Sequence, residues 1–181
     1  PNTGDGAGIL IQIPHEFFVA EAARLGFKLP SVGQYGVGQL FLPQVPEHRE
    51  LVKAAFAKIV AAEGQTLLGW RDVPVNNASL GKSAVAVEPF MAQVFVGRGA
   101  GIQDEAAFER RLYIIRKLAE QQIHYANSVP GGDWLYFPSL SARTLTYKGM
   151  LMSEQVEKYY DDLRNPAVTT AFALVHSRFS T

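Results

Sequence analysis

Val168–Thr181, reading VTTAFALVHSRFST, is the stretch on which the interpretation of this chain turns. Val168 to Val175 is β-branched, aromatic or small almost throughout, with apolar side chains at both parities. That pattern predicts a strand covered on both faces, although periodicity alone fits a buried helix too. The run turns polar within one step, giving His176, Ser177, Arg178, Phe179, Ser180 and Thr181. An arginine at the end of a buried strand presents a planar, permanently charged fork matched to a carboxylate. Two readings stand: Arg178 caps the sheet in a structural ion pair, or it receives the carboxylate of a ligand.

Working upstream, Ser153 is placed to cap a helix running through Val156, Tyr160 and Leu163, which Asn165-Pro166 terminates. Asp161-Asp162 reads as a solvated helix end beside Arg164. Leu135 to Phe137 and Ser141 to Lys148 predict two short strands around Pro138. Before them, Asp104 is a fair N-cap for the longest helix, ending near Tyr125, with Phe108, Leu112, Ile115, Ala119 and Ile123 as its apolar stripe. Met91 to Val96 and Thr66 to Val73 read as strands, with a polar loop over Asn76 to Ser83. Arg71 and Asp72 are adjacent on the second of these, so they point to opposite faces and cannot simply pair.

The N-terminal third has the same alternation. Gly4-Asp5-Gly6-Ala7-Gly8 is a glycine-rich turn feeding the strand Ile9 to Ile13. Glycine there permits positive φ and close approach of a ligand or another strand. It is no phosphate loop, since no helix follows and no Gly-Lys-Ser/Thr closes it. Pro14 opens a helix with Phe18, Ala22 and Leu25 on one face, ended by Gly26. Tyr35 to Leu42 reads as a strand, with Val37, Gln39 and Phe41 opposing Gly38, Leu40 and Leu42. Pro46 opens a helix buried through Val52, Phe56, Ile59 and Val60 and closed by Gly64. Strands mixed with long amphipathic helices place the chain in the α/β or α+β class.

Composition sets limits on function. At 181 residues the chain can bury roughly 70% of its unfolded surface as one domain. Lys plus Arg and Asp plus Glu number 17 each, so no basic stripe argues for nucleic acid. No apolar run reaches the ~18–20 residues of a membrane span, and no signal-peptide pattern is present. There are no cysteines, hence no disulfide, thiolate metal ligand or thiol nucleophile within these residues. His15, His48, His124 and His176 fall at no metal-ligand spacing, and neither HExxH nor GxSxG occurs. Trp70, Trp134 and Phe172 read as core aromatics.

Four stretches carry a resemblance along the whole chain: PNTGDGAGIL (1–10), GWRDVPV (69–75), TLTYKGML (144–151) and HSRFST (176–181). In this order and spacing the chain resembles part of the glutamine amidotransferase domain of bacterial-type glutamate synthase large subunits. The resemblance implies residues 1–181 of a partial class II amidotransferase domain. Its fold would be α+β, a four-layer αββα sandwich of the N-terminal-nucleophile hydrolase type, incomplete at both ends.

By the same resemblance, an N-terminal cysteine attacks the side-chain amide of L-glutamine, with its own α-amino group as base. An Asn-Gly pair supplies oxyanion donors. Ammonia passes to a synthase site where 2-oxoglutarate becomes glutamate, using FMN and an iron–sulfur cluster outside this region. Arg178 matches the arginine that grips the glutamine α-carboxylate, and Thr181 a position lining the pocket. Asp5, Gly6 and Gly8 match a turn supporting the nucleophile. The cysteine would precede Pro1, and the Asn-Gly pair with an amine-binding aspartate would follow Thr181, so no catalytic residue is expected here. The isolated chain is therefore expected to be inactive, and the setting cytoplasmic, with no metal, nucleic acid or membrane. The alternative is a noncatalytic amino-acid-binding or scaffold module derived from that domain.

Overall fold

A computed structural model of the chain describes residues 6–177. Seven strands and five α-helices occur in the order β1 (Ala7–Gln12), α1 (His15–Arg24), β2 (Tyr35–Leu42), α2 (Pro46–Ala62), β3 (Thr66–Asp72), α3 (Lys82–Ala86), β4 (Phe90–Gly97), α4 (Glu105–Ala119), β5 (Tyr136–Ser141), β6 (Thr144–Gly149), α5 (Ser153–Tyr159) and β7 (Ala173–His176). They form two antiparallel sheets, β6-β1-β7 and β3-β4-β2-β5. Two facing antiparallel sheets with accompanying helices match the N-terminal-nucleophile hydrolase expectation.

The alternation of β2 and β4 builds the layers. Leu40, Leu42, Ala92, Val94 and Val96 point one way and bury the stripes of α2 (Val52, Phe56, Val60) and α4 (Phe108, Leu112, Ile115). Tyr35, Val37, Met91 and Phe95 point the other way, into the space between the sheets. There they meet Ala7, Ile11, Leu145 and Tyr147 of the three-stranded sheet. Phe18 of α1 enters the same space and meets Phe95 edge-on at 5.2 Å.

The helix boundaries follow local chemistry. Asp104 caps α4 by accepting the Ala107 N–H at 2.6 Å, and α4 runs on as a π-helical turn over Glu120–Tyr125. Pro46 occupies the first turn of α2, where its missing N–H costs nothing. Pro138 lies inside β5 and not between two strands. It is tolerated because β5 is an edge strand whose register with β2 shifts there, Gln39 facing Ser139 and Phe41 facing Tyr136. The predicted loop over Asn76 to Ser83 contains a 3-10 turn at Asn77–Ser79 and the start of α3.

Further expectations fail, among them Ser153 as the cap of α5, whose first helical residue it is. The C-terminal strand is shorter than its apolar run, spanning only Ala173–His176, and all four residues are exposed. It pairs on one side with β1 and forms the edge of the described sheet, so its apolar side chains meet little. Trp134 (38% exposed) and Phe172 (52%) are surface residues, whereas Trp70 does pack, edge-on against Phe56. Asp162 is no solvated helix end. It is 2% exposed, because α5 stops at Tyr159 and a separate 3-10 turn, Asp161–Arg164, carries it inward. No described helix is long and apolar enough to cross a membrane.

Candidate functional site

Gly6–Gly8 and His176–Ser177 lie together at one end of the β1/β7 pair. Gly8 and His176 are cross-strand partners in the antiparallel register. Gly6 precedes the strand at φ 113°, a backbone region costly for any residue with a Cβ. Gly8 lies inside β1, and its sequence signal was close approach. A Cβ at this position would stand 2.6 Å from Lys148 Cβ, 2.7 Å from the Tyr147 carbonyl oxygen and 2.8 Å from His176 Nε2. Only hydrogen fits between the two flanking strands.

Beside this end opens a cavity of about 560 Å³. The strands contribute Ala7, Gly8, Ile9, Val175, His176 and Ser177. The opposite wall is Ser153, Val156 and Glu157 of α5 with Leu163 of the 3-10 turn. A volume of this size lies within the range of small-molecule sites. Of the residues singled out in the sequence, Gly6 and Gly8 are thus brought to one place. Asp5, Arg178 and Thr181 lie outside the described residues; Arg178 follows His176 by two positions in the chain.

A buried polar cluster went unread in the sequence. Arg71, Gln93 and Gln39 are in register across β3, β4 and β2, and they form a polar row on the face that looks toward the other sheet. Arg71 is 3% exposed. Its Nη1 and Nη2 donate to the two carboxylate oxygens of Asp162 at 2.8 and 2.7 Å, and Nη1 also to Gln93 Oε1 at 3.0 Å. Its Nε donates to Glu21 Oε2 of α1 at 2.7 Å. Tyr147 of the opposite sheet donates to Asp162 at 2.9 Å, and Gln93 Nε2 donates to the Tyr147 hydroxyl and to Gln39 Oε1. The signal was a glutamine in the middle of each of two otherwise apolar strands, β2 and β4, and an arginine near the end of β3.

The electrostatics of this cluster follow from its geometry. Burial opposes the charge on Arg71, but the hydrogen bonds and attraction of Asp162 outweigh it and raise its pKa. Burial, aided by the Asp162 charge, pushes the Tyr147 phenol well above its ordinary value. Glu21 is drawn down to about 2, first by its hydrogen bonds from Arg24 and then, against the cost of burial, by Arg71. Among the described residues no group of three or more His, Cys, Asp or Glu could hold a metal ion.

All of residues 1–181 match the family model for class-II glutamine amidotransferases. The chain is 46% identical over its whole length to the glutamate synthase [NADPH] large chain of Bacillus subtilis, covering 11% of that protein. It is 41% identical over 180 residues to the chloroplastic ferredoxin-dependent glutamate synthase of Oryza sativa, and 38% over 184 to the glutamate synthase [NADH] of Schizosaccharomyces pombe, covering 11% and 8% of them. The chain thus spans about a tenth of the length of these relatives.

Proposed function

The chain belongs to the class-II glutamine amidotransferases, and from that premise we propose that it is part of the glutaminase domain of a glutamate synthase large chain. The observation that carries the reading is 46% identity to one such large chain along all 181 residues. The pairing of Gly8 with His176 beside a cavity of metabolite size supports it.

L-Glutamine is held by its α-carboxylate on the guanidinium of Arg178, in a charge-assisted, two-pronged contact. Thr181 lines the pocket. Asp5, Gly6 and Gly8 shape the turn against which the nucleophile rests. Since these residues contain no cysteine, the thiolate comes from elsewhere in the full-length protein, with its own α-amine as base. It attacks the side-chain amide carbon, the amide nitrogen leaves as ammonia with the transferred proton, and a thioester remains. Water then cleaves the thioester, releasing glutamate and restoring the thiol. The ammonia is passed to the synthase portion of the protein, for addition to 2-oxoglutarate, in the cytoplasm. An iron–sulfur cluster needs thiolate ligands. None exists in these residues, which therefore do not fit the cluster; it and FMN belong to the synthase portion.

The test is ammonia release from glutamine. The full-length protein is expected to release it and to lose the activity on alkylation of its thiols, while the purified 181-residue polypeptide releases none. Sustained hydrolysis by that polypeptide would refute a thiolate supplied from outside it.

A further inference from the structure

The GWRDVPV stretch is left without a role by the glutamine site, yet it holds the far wall of the cavity. That wall is attached to the end of β3 by two backbone hydrogen bonds and one side-chain ion pair. Asn76 N–H donates to the Tyr159 carbonyl at 2.8 Å, and Asp161 N–H to the Pro74 carbonyl at 3.2 Å. Together these two bonds make the antiparallel bridge between Val75 and Tyr160. The third attachment is the two-pronged contact of Arg71 with Asp162, the residue immediately before Leu163. The backbone bridge is one that many sequences would make. The ion pair is specific to side chains, and it binds the wall to the sheet opposite β1 and β7.

We propose that Arg71 is a positioning residue of the glutamine site. Through Asp162 it sets the distance between Leu163 with α5 on one side and the β1/β7 strand ends on the other. A bidentate guanidinium–carboxylate pair restrains both direction and distance, which a hydrophobic contact in the same place would not. Its other bonds fix the guanidinium in turn: Glu21 holds Nε, Gln93 holds Nη1, and Tyr147 holds the carboxylate from the opposite sheet. The network therefore refers the cavity wall to both sheets and to α1 at once. Altering Arg71 changes the width of the cavity between α5 and the β1/β7 strand ends. The inference rests on the glutamine reading given above.

The experiment is steady-state kinetics with glutamine on the folded full-length protein. Asp162→Asn keeps size but loses the charge that draws Arg71, and Leu163→Ala alters the wall without touching the network. Both are expected to raise KM for glutamine about tenfold, within the range that misplacement of binding groups produces, with a smaller change in kcat. Tyr147→Phe, which removes one of three bonds to the carboxylate, should give a smaller rise. A merely structural network would lower the melting temperature and leave KM alone. Wild-type KM in folded Asp162→Asn would overturn the proposal. Should that variant not fold, wild-type KM in Leu163→Ala overturns it. Arg178→Ala, measured alongside, separates the two claims: a raised KM there with normal values elsewhere refutes the wall alone, and a normal KM there refutes the glutamine site.

Discussion

Replacing Asp162 by Ala removes the partner of a guanidinium that is 3% exposed. Three hydrogen bonds vanish, two from Arg71 at 2.8 and 2.7 Å and one from Tyr147 at 2.9 Å. Breaking a buried ion pair by deleting one partner costs about 3–5 kcal/mol. Glu21 and Gln93 still touch Arg71, which places the expected loss near the lower end, about 3 kcal/mol. For a domain of this size that corresponds to a fall in melting temperature of about 6–12 °C. The companion double variant, Arg71→Met with Asp162→Leu, leaves no stranded charge and should be less destabilised than either single change. Calorimetric unfolding of the full-length protein reads the transition of this domain, and hydrogen exchange at the amides of Gln93 and Tyr147 locates it. An Asp162→Ala protein melting within about 2 °C of the wild type, a shift worth under ~1 kcal/mol, would refute the reasoning. So would a double variant as unstable as the sum of the singles.

Gly8→Ala places a methyl group 2.6 Å from Lys148 Cβ and 2.7 Å from a backbone oxygen. It should cost about 1–3 kcal/mol, read as a lowered denaturant midpoint, and an unchanged midpoint would contradict the packing described. Glu21 has its pKa lowered from 4.5 to about 2 on folding, so the stability it adds is complete above about pH 4.5 and disappears as pH falls toward 2. Glu21→Gln should flatten the dependence of the urea midpoint on pH in that window, and an unaltered slope counts against the assignment. Phe108, fully buried on the inner face of α4, should cost about 3–5 kcal/mol when cut to Ala. Phe172→Ala, at a surface position, should stay within about 0.5 kcal/mol; thermal melts that rank them otherwise would contradict the layer arrangement.

How far residues alone led is seen element by element. Period-two alternation placed Val37 and Phe41 opposite Leu40 and Leu42 correctly, because β2 is a central strand with a different core on each face. The helical stripes of α2 and α4 emerged for the same reason: their buried positions are set by local period. The strand Ala173–His176 misled, since apolar side chains at both parities describe a strand that would be covered if neighbours existed, and its described neighbours lie on one side only. Arg71 and Asp162 were missed because their pairing spans 91 positions, and Asp162, one of two adjacent aspartates close to Arg164, read as a solvated helix end. Gly6 and Gly8 were legible from glycine's conformational freedom and small size. Arg178 and Thr181 came only from likeness to a family, as no periodicity identifies a residue that grips a ligand.

The central claim is that Arg178 holds the carboxylate of glutamine, and the KM for glutamine of the full-length Arg178→Ala protein tests it most directly. Loss of a charge-assisted contact worth about 1.5–3 kcal/mol predicts a KM raised about ten- to hundredfold. A folded variant that saturates with glutamine at the wild-type concentration would contradict it.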